Sequence, residues 1–447
     1  MTARIRKPDM IWKIYNLLFA LIFPLLLPHF FWRMKRRGGY SRNFGQRLGF
    51  YSDEVLRALG GEPRVWLHAV SVGELYVALC LIREWREREP DVRFALTVTT
   101  STAYAIAERE LSAADVVLYF PVDFPPVMRR AFAVINPRAL VLVEVELWPN
   151  LIRMARRRSL PVFLVNGRMS DRSFRGYSRL KALTRPLLAE FDVISVQSEE
   201  DRKRFIALGA DPARTVHLGS AKYDVALTTP LAGGEKALEV MRAAGIRPDH
   251  LVLLGGSTWD GEEEAMVDLY RGLKTRYRNL VLMIAPRHVE RLPALLEILK
   301  PKVGKLVRRS TITETAAVAP AQPPDVLLID TTGELKHFYA HADVIFVGKS
   351  LTQHGGQNII EPALYGKPVI VGPNMENFIA ILADFLAEDA VVQVKDLQGL
   401  RRAVDDLLCD PGKRDEIGQA ARRVVESQSG SLGQFLDCLF DAGFSSR

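Results

Sequence analysis

The 447-residue chain has few cysteines and none of the common metal or nucleoside-triphosphate motifs. Its three cysteines, Cys80, Cys409 and Cys438, lie far apart, and none belongs to a Cys-x-x-Cys pair. Neither a disulfide framework nor a zinc site is indicated, and a reducing cytoplasm fits the chain best. HExxH, GxxxxGK[ST] and, in the second half, a DxD-type acidic pair are also absent from the sequence. We therefore expect a reaction that uses no metal ion and no cofactor.

Positive charge is in excess. The chain has 60 Lys and Arg against 52 Asp and Glu, a net charge of +8. This balance favours an anionic partner, but nucleic acid, phospholipid head groups and phosphorylated substrates all qualify. A charged fraction of 25% and an aromatic fraction of 9% are typical of a folded protein. The length predicts two domains of similar size.

One long hydrophobic run is present, from Met10 to Trp32. It has about the ~20 residues needed to cross a bilayer core. A basic segment follows it rather than a small-residue cleavage site, so we interpret residues 1–37 as an uncleaved membrane anchor and not as a signal peptide. With Pro24 and Pro28 inside, the run either spans the bilayer or lies in one leaflet. A buried helix of a soluble protein is the remaining alternative.

From Arg64 onward, short β-branched runs alternate with helical patterns, which predicts parallel, doubly wound α/β sheets. The stretch Ala221–Lys236 interrupts the alternation with Thr-Thr-Pro and Gly-Gly, and we interpret it as an interdomain linker. We expect a first domain at residues 38–222 and a second at residues 233–428. Two such Rossmann-like domains facing each other bind ligands in a cleft at the carboxyl ends of their strands.

Three carboxylates of the first domain are candidates for chemistry. Glu74 follows a strand end in HAVSVGE, where a helix first-turn role is the plain alternative. Glu144 and Glu146, in VEVELWPN, are expected on one face of a strand because side chains alternate with a period of two. Surface alternation is the other reading of that pair.

The segment 166–181 is basic, with arginines at 168, 172, 175 and 179 and the aromatics Phe174 and Tyr177 between them. Such a face binds single-stranded nucleic acid by charge and stacking, or holds the phosphates of a glycolipid. An ordinary solvated basic helix also fits the pattern.

In the second domain, Asp343–Phe378 predicts a buried strand, a glycine-bearing loop and a helix at Gln357–Tyr365. Gly355 and Gly356 are expected to take positive φ and to let a ligand approach the main chain. The free N–H groups at the helix start predict a phosphate site, and Glu361 is placed to accept from a ribose diol.

These segments together resemble the GT-B glycosyltransferases, and closely the Kdo (3-deoxy-D-manno-octulosonic acid) transferases of lipopolysaccharide biosynthesis. The resemblance runs from about Arg47 to Phe378 and includes SVGE, ELWPN, PRHxER, GG-x-N-x-x-EP and GxPVxxGP. Three residues depart from the family pattern: Val145 replaces a threonine, Trp259 a histidine and Lys349 a glycine. In GT-B enzymes the final helix returns to the first domain, which is the role expected for residues 429–447.

The resemblance implies an inverting transfer of Kdo from CMP-Kdo to the tetraacyl precursor of lipid A, with the catalytic body on the cytoplasmic side of the inner membrane and no nucleic-acid partner. Glu74 is then the general base. The acceptor-binding residues implied are Ser71, Gly73, Glu144, Glu146, Arg168, Arg172 and Arg175. The nucleotide-binding residues implied are Ser257, Thr258, Pro286, Arg287, His288, Gly348, Lys349, Ser350, Gly355, Gly356, Asn358 and Glu361.

Two other functions remain open from the sequence. A different GT-B nucleotide-sugar enzyme, an epimerase or hydrolase, shares the fold but has no need of an anchor. A membrane-tethered binding protein for anionic lipid or RNA explains the charge and the anchor, yet leaves the SVGE and GG-x-N-x-x-E segments without a role.

Overall fold

The computed structural model describes residues 10–22, 25, 43–228, 234–312, 320 and 322–444. Its contacts divide the chain into two units, Met1–Val225 with Gly430–Arg447, and Ala226–Ser429. Each unit contains one sheet of seven strands, and every strand pair in both sheets is parallel. The prediction of an α/β protein with two parallel sheets is therefore confirmed.

The sheet of the first unit has the order β3-β2-β1-β4-β5-β6-β7. Its strands are almost wholly buried because helices cover both faces, and this explains their continuous apolar sequences. The strands are β1 Arg64–Ala69, β2 Phe94–Val98, β3 Val116–Tyr119, β4 Pro137–Val143, β5 Val162–Gly167, β6 Val193–Val196 and β7 Thr215–His217.

Helices and one 3-10 turn complete this part of the first unit. The 3-10 turn is Phe44–Leu48, and the helices are α1 at 10–22, α2 Asp53–Leu59, α3 Val72–Arg88, α4 Ser101–Glu110, α5 Pro125–Ile135, α6 Pro149–Arg157, α7 Asp171–Arg179, α8 Lys181–Leu188, α9 Glu199–Leu208 and α10 Ala221–Thr228.

The sheet of the second unit has the order β10-β11-β9-β8-β12-β13-β14. Its strands are β8 Leu251–Thr258, β9 Leu280–Pro286, β10 Leu306–Arg308, β11 Val326–Leu328, β12 Val344–Val347, β13 Val369–Val371 and β14 Val392–Gln393. Its helices are α11 Gly234–Ala243, α12 Glu262–Lys274, α13 Leu292–Leu299, α14 Leu335–Phe338, α15 Ile360–Ala363, α16 Ile379–Ala387, α17 Leu397–Cys409 and α18 Pro411–Ser427. Its 3-10 turns are Val289–Arg291, Lys300–Lys302, Arg309–Thr311, Tyr339–His341 and Glu376–Phe378.

The last helix, α19 (Ser431–Asp441), belongs to the first unit. Its side chains at 432, 435, 436 and 439 are fully buried in the core that β1 and α3 also line. The Asp224 carboxylate anchors its start by accepting hydrogen bonds from the Gly430 N–H and the Ser431 hydroxyl, both at 2.6 Å. The end of the chain thus completes the core of the first unit.

Helix α1 packs one face on the first unit and leaves the other exposed. Trp12 is 5% exposed, the Tyr15 hydroxyl donates to Asp123 Oδ2 at 3.1 Å, and Asn16 Oδ1 accepts from Asn150 Nδ2 at 2.8 Å. Six large apolar side chains on the other face are 49–72% exposed: Met10, Ile14, Leu17, Leu18, Leu21 and Ile22.

The predicted membrane anchor is described only in part. Among the described residues no helix has the length and apolarity needed to cross a bilayer. Residues 1–9, 23–24 and 26–37 of the predicted anchor lie outside the described part of the chain.

The boundary between the two units, at Val225 and Ala226, lies within the stretch 221–236 that was interpreted as a linker. This stretch is helical at both ends, in α10 and α11, and residues 229–233 are not described. Two predictions about elements were wrong. Strand β4 ends at Val143, so Glu144 and Glu146 lie beyond it and the same-face argument does not apply. The helix predicted at 357–365 is the four-residue α15, Ile360–Ala363. Asn358 Oδ1 accepts from the Ile360 N–H at the start of this helix, and residues 351–359 before it form no helix or strand.

Candidate active site

In the first unit Glu74 is held at the turn between β1 and α3. Ser71 is the N-cap of α3 and accepts from the Glu74 N–H at 3.3 Å. In return the Glu74 carboxylate accepts from the N–H groups of Val70 at 2.8 Å and Ser71 at 3.3 Å. This capping box fixes a carboxylate that is 8% exposed at the carboxyl edge of the sheet. Each carboxylate oxygen has a further lone pair with which to accept a proton. Gly73, beside Glu74, is exposed.

Glu144 and Glu146 lie close to Glu74. Glu144 follows β4 directly and has φ 59°, a left-handed conformation that is strained for a residue with a Cβ. Burial, and next the charge of Glu74, raise the pKa of the Glu144 carboxyl. The same two causes raise the pKa of Glu146 to about 7, although its Oε2 accepts from the Trp148 indole N–H at 2.8 Å. The three carboxylates therefore repel one another in partly dry surroundings.

Two cations oppose this negative charge. Arg168 follows β5, and Lys222 lies in the first turn of α10. The charges of Lys222 and Arg168 both lower the pKa of Glu144 against the raising effect of burial. Burial lowers the pKa of the Lys222 ammonium, which Glu144 raises in turn. The carboxyl edge of the first sheet thus brings together the Glu74 carboxylate, held by backbone N–H groups, two further carboxylates and two cations.

Helix α7 exposes its arginines and half-buries its aromatic residues. Arg172 and Arg175 are exposed, whereas Phe174 and Tyr177 pack against the core. Arg204 lies over the Phe174 ring, with its guanidinium carbon 6.0 Å from the ring centroid. The two aromatic residues therefore do not form an open surface on which bases stack, and this disfavours the binding of single-stranded nucleic acid. The exposed arginines remain suited to binding phosphates.

In the second unit, Glu262 organises the loop that follows β12. Its carboxylate is fully buried and accepts four backbone N–H bonds of 2.8–3.1 Å, from Trp259, Lys349, Ser350 and Leu351. Gly348 allows the close approach this requires, because a Cβ there would lie 2.5 Å from the Thr258 Cα and 2.6 Å from Glu262 Oε2. Glycine is the only residue that fits at 348 without a shift of backbone.

Several groups predicted to face a nucleotide are used inside the protein. The buried Ser350 hydroxyl donates to the Val347 carbonyl at 2.6 Å and accepts from the Gly372 N–H at 2.9 Å, so its side chain bonds to backbone on both sides. The positive φ values predicted for Gly355 and Gly356 are present, at 113° and 68°. Their N–H groups, however, donate to Glu376 Oε2 and to the Lys349 carbonyl.

Just beyond the two glycines, Gln357 and Asn358 are half-buried, whereas Ile359 is fully buried. The N–H groups of residues 357–359 make no hydrogen bond with a described residue. Asn358 Nδ2 donates to Glu361 Oε1 at 3.3 Å, and burial raises the pKa of the Glu361 carboxyl although part of the residue is exposed. This stretch, rather than Gly355 and Gly356, has N–H donors left for an anion.

The ends of β8 and β9 supply the other predicted nucleotide contacts. Ser257 has φ 51°, and the Thr258 carbonyl accepts from the Arg287 N–H at 3.0 Å. Pro286 ends β9, which leaves the Arg287 side chain exposed and that of His288 partly exposed. The charge of Arg287 reaches Glu361, whose pKa it lowers. The predicted contacts at 257–258, 286–288 and 361 therefore lie on neighbouring strand ends of one sheet.

Comparison with known proteins identifies the family. A sequence profile described as 3-Deoxy-D-manno-octulosonic-acid transferase (kdotransferase) matches residues 42–225, and a glycosyl transferases group 1 profile matches residues 325–424. The 3-deoxy-D-manno-octulosonic acid transferase of Bordetella pertussis is 35% identical over 96% of this chain and 98% of that protein. That of Haemophilus influenzae is 30% identical over 95% and 97%. The chain belongs to the Kdo transferase family.

This Kdo transferase also shares its fold with enzymes of other activity. The UDP-GlcNAc 2-epimerase of Neisseria meningitidis is 12% identical, with a TM-score of 0.59 over 85% of this chain and 100% of that one. A glycosyltransferase of Rickettsia africae has the same TM-score and identity over 86% of this chain. At such identities the likeness shows the fold alone, and the two profiles and the relatives show a glycosyltransferase.

Two site residues of the Kdo transferase escaped the sequence analysis. Lys222 lies in the stretch that was interpreted as a linker, so its cationic side chain was not connected with Glu144. Glu262 lies in an acidic helix start, GEEE, where a carboxylate is ordinary. The role of Glu262 could be recognised only if it were considered together with the loop that supplies three of its N–H donors. That loop lies about 90 residues later in the chain.

Proposed function

We propose that this Kdo transferase moves Kdo from CMP-Kdo to the tetraacyl lipid A precursor (lipid IVA) with inversion at the anomeric carbon. The observation that carries the proposal is the Glu74 carboxylate, fixed by the capping box beside Glu144 and Glu146 and opposed by Lys222 and Arg168. Such an arrangement suits the removal of a proton from a sugar hydroxyl. The cations balance the charge of phosphates on the acceptor.

In the proposed step the acceptor hydroxyl oxygen attacks the anomeric carbon of Kdo while the bond from that carbon to the CMP phosphate oxygen breaks. Glu74 takes the hydroxyl proton, and CMP leaves with the electron pair. Attack from the side opposite the leaving group inverts the anomeric centre. Glu144 and Glu146 lie too close to Glu74 to act independently of it, and we assign them to orienting the acceptor.

The donor contacts proposed for the second unit are the N–H groups of Gln357 and Asn358, the Arg287 guanidinium and Glu361. N–H donors and a guanidinium already in place stabilise the charge that develops on the departing CMP. Glu361 accepts from hydroxyl groups of the nucleotide ribose. The buried Glu262 takes no part in these contacts but holds the loop that supplies them.

The direct test is Glu74→Gln, which keeps the shape of the side chain and removes its basicity. Turnover is expected to fall by roughly 10²–10⁴-fold, the usual contribution of a general base. Calorimetric CMP affinity is expected to stay unchanged, since the N–H, Arg287 and Glu361 contacts are intact. Glu87→Gln, elsewhere on α3, is the matched control. A folded, CMP-binding Glu74→Gln protein that transfers Kdo at the parent rate would rule out this base.

We further propose that the enzyme works at the inner membrane with its catalytic body in the cytoplasm. The exposed apolar face of α1 offers side chains for the acyl region of one leaflet. Beside α1, a cavity of about 250 Å³ is lined by Lys13, Arg129, Arg153 and Arg157 and by no described carboxylate. Cations next to an apolar helix face match an anionic bilayer surface. Sedimentation with phosphatidylglycerol vesicles, and no sedimentation with zwitterionic vesicles, is the expected result.

A further inference from the structure

Lys349 has a backbone conformation that suits glycine. Its φ is 58°, in the left-handed region, where a Cβ causes strain. Two hydrogen bonds hold the backbone there, from the Lys349 N–H to Glu262 Oε2 at 2.8 Å and from the Gly356 N–H to the Lys349 carbonyl at 2.9 Å. A strained residue at a strand end next to the proposed donor contacts raises the question of what its side chain does.

The Lys349 ammonium is placed by an aromatic ring. Its Nζ lies 4.7 Å from the centroid of the Trp259 ring, within the range of a cation–π contact. The other contact of that ring is with His288, edge to face at a centroid distance of 4.8 Å, and the Trp259 indole N–H has no acceptor among the described residues. A Cβ on Gly355 would lie 3.4 Å from the same Nζ, so the ammonium sits beside the glycine loop.

The charge of Lys349 has no counterion in the described part of the chain. Its ammonium forms no ion pair and no hydrogen bond there. The nearby carboxylates have other partners: Glu262 accepts four backbone N–H bonds, Glu376 pairs with His354 Nδ1 at 2.8 Å and accepts from Gly355, and Glu361 accepts from Asn358. An ammonium with three donors and only an aromatic face against it is suited to an anionic oxygen.

We propose that the Lys349 ammonium, held over Trp259 and beside Gly355, binds an anionic oxygen of the sugar-nucleotide donor, so that Lys349 and Trp259 determine donor affinity together. The inference rests on the proposed function, because a donor that carries a phosphate and an acidic sugar offers two such oxygens. Either anionic group of the donor, the phosphate of CMP or the carboxylate of Kdo, supplies an oxygen that the Lys349 ammonium can bind.

The experiment compares CMP with cytidine by calorimetry on the full chain and its variants. Lys349→Gly removes the ammonium and relieves the strained backbone, Lys349→Arg keeps the charge, and Trp259→Leu removes the ring beneath it. The control is Asp389→Gly, an exposed residue outside the site whose φ of 50° gives the same relief of strain. None of these measurements needs the lipid acceptor.

Lys349→Gly is expected to weaken CMP binding about ten- to a hundredfold, as for loss of a hydrogen bond to a charged group, and to leave cytidine binding unchanged. Lys349→Arg should retain most of the affinity. Trp259→Leu should lose part of it and, in combination with Lys349→Gly, cause no further loss. Unchanged CMP affinity with a similar rise in KM for CMP-Kdo would assign the contact to the sugar carboxylate.

Two outcomes would overturn the proposal. In the first, Lys349→Gly leaves both the CMP affinity and the KM for CMP-Kdo unchanged. In the second, it weakens CMP and cytidine equally, which is the sign of a merely structural role. A protein that binds CMP through Lys349 but transfers nothing to a lipid acceptor would refute the proposed reaction and leave this contact standing.

Discussion

Carboxylates at the carboxyl edge of the first sheet reduce the stability of the fold. Burial, and next the charge of Glu74, raise the pKa of both Glu144 and Glu146. A site selected only for stability would not collect three carboxylates in partly dry surroundings. Repulsion of this kind is common where a protein needs a carboxylate with a pKa near the working pH.

Glu146→Gln tests this cost. The pKa of Glu146 is raised from 4.5 to about 7, so the folded chain holds a proton that the unfolded chain releases, and the stability contributed by this group is lost as pH rises from about 4.5 through 7. The glutamine removes that loss. We expect the variant to be more stable than the parent at pH 8 by about 1–3 kcal/mol, after discount for partial exposure, and equal to it at pH 4.5. Urea denaturation at both pH values measures the difference.

The same variant should transfer Kdo more slowly, because the oriented carboxylate is gone. A gain in stability with a loss of turnover distinguishes a functional carboxylate from a structural one. Glu87→Gln provides the control for stability. Loss of stability in Glu146→Gln at pH 8 would mean that the hydrogen bond from Trp148 outweighs the repulsion.

At this scale the sequence predicts residue types better than contacts. Glu74 was selected correctly as a carboxylate at a strand end, but its capping box with Ser71 depends on backbone N–H directions. Ser350 was expected at the ligand, yet its hydroxyl joins the backbone of β12 to that of the residue after β13. Which side of a loop a small polar side chain takes is decided by neighbours distant in the chain, and one sequence does not contain that information.

Among the elements, the start of α12 holds two backbone segments through one side chain. Glu262, its first residue, holds its own turn through Trp259 and the loop after β12 through three consecutive N–H groups. The fully buried carboxylate forms no ion pair with a residue in the described ranges, and its four hydrogen bonds come from backbone N–H groups.

Glu262→Gln is therefore expected to be severe. An amide has one oxygen to accept and an NH₂ that meets N–H donors, so about half of the four bonds are lost and a clash of donors appears. We expect a loss of about 2–4 kcal/mol in the free energy of unfolding of the second unit, together with weaker CMP binding. Glu264→Gln, exposed on the same turn, is the control. Equal stability of the two variants would contradict the role assigned to Glu262.

Helix α1 has two faces with separable roles. Leu17→Glu with Leu21→Glu alters only the exposed face, so we expect vesicle binding to fall severalfold with the unfolding free energy unchanged. Trp12→Ala alters the packed face and is expected to cost about 3–5 kcal/mol, as for a buried tryptophan. Vesicle sedimentation and urea denaturation of both variants separate the roles. Vesicle binding by the double glutamate variant at the parent level would exclude the apolar face as the contact.

Prediction of elements worked where periodicity is strong and failed at their ends. The runs that became β1, β8 and β12 are short and largely apolar, typical of strands buried on both faces. The helices at the two ends of the stretch 221–236 were missed because Thr-Thr-Pro and Gly-Gly suggest a loop. Helix α10 ends at the first of these threonines, and α11 begins within the Gly-Gly pair. At Glu144 the strand ends through a positive φ, which nothing in the residue types announces.

For the whole molecule, the two parallel sheets followed directly from the alternation of strand and helix patterns. The sheet orders did not, because they depend on which apolar runs pair, and many β-branched runs of similar length are compatible. The order in each sheet places the first strand of its series in the interior, third of seven for β1 and fourth of seven for β8, with later strands on both sides. Neighbouring strand ends near the centre of each sheet carry Glu74 and Glu144 in one unit, and Ser257 and Lys349 in the other.

Removal of residues 430–447 tests the role of α19 in the first unit. Four of its side chains are fully buried, and each buried leucine or phenylalanine contributes roughly 2–5 kcal/mol. Together they contribute roughly 8–20 kcal/mol, as much as the roughly 5–15 kcal/mol by which a typical protein is stable. We expect the truncated chain to lose the fixed environment of Trp85, whose ring lies 5.7 Å from that of Phe444, while the second unit stays folded. Native tryptophan fluorescence in the truncated chain would contradict this.

The place of α19 at the end of the chain also determines when the first unit can complete its folding during synthesis. The first unit emerges from the ribosome first, but its core stays incomplete until the 204 residues of Ala226–Ser429 and then α19 have been made. At roughly 5–20 residues per second this delay is about 10–40 s. During that time an apolar patch left for α19 is open to solvent beside Trp85 and Phe163. During this period the half made first is the half that needs a chaperone. Released chains that end at residue 429 should therefore be cut by protease in the first unit and not in the second.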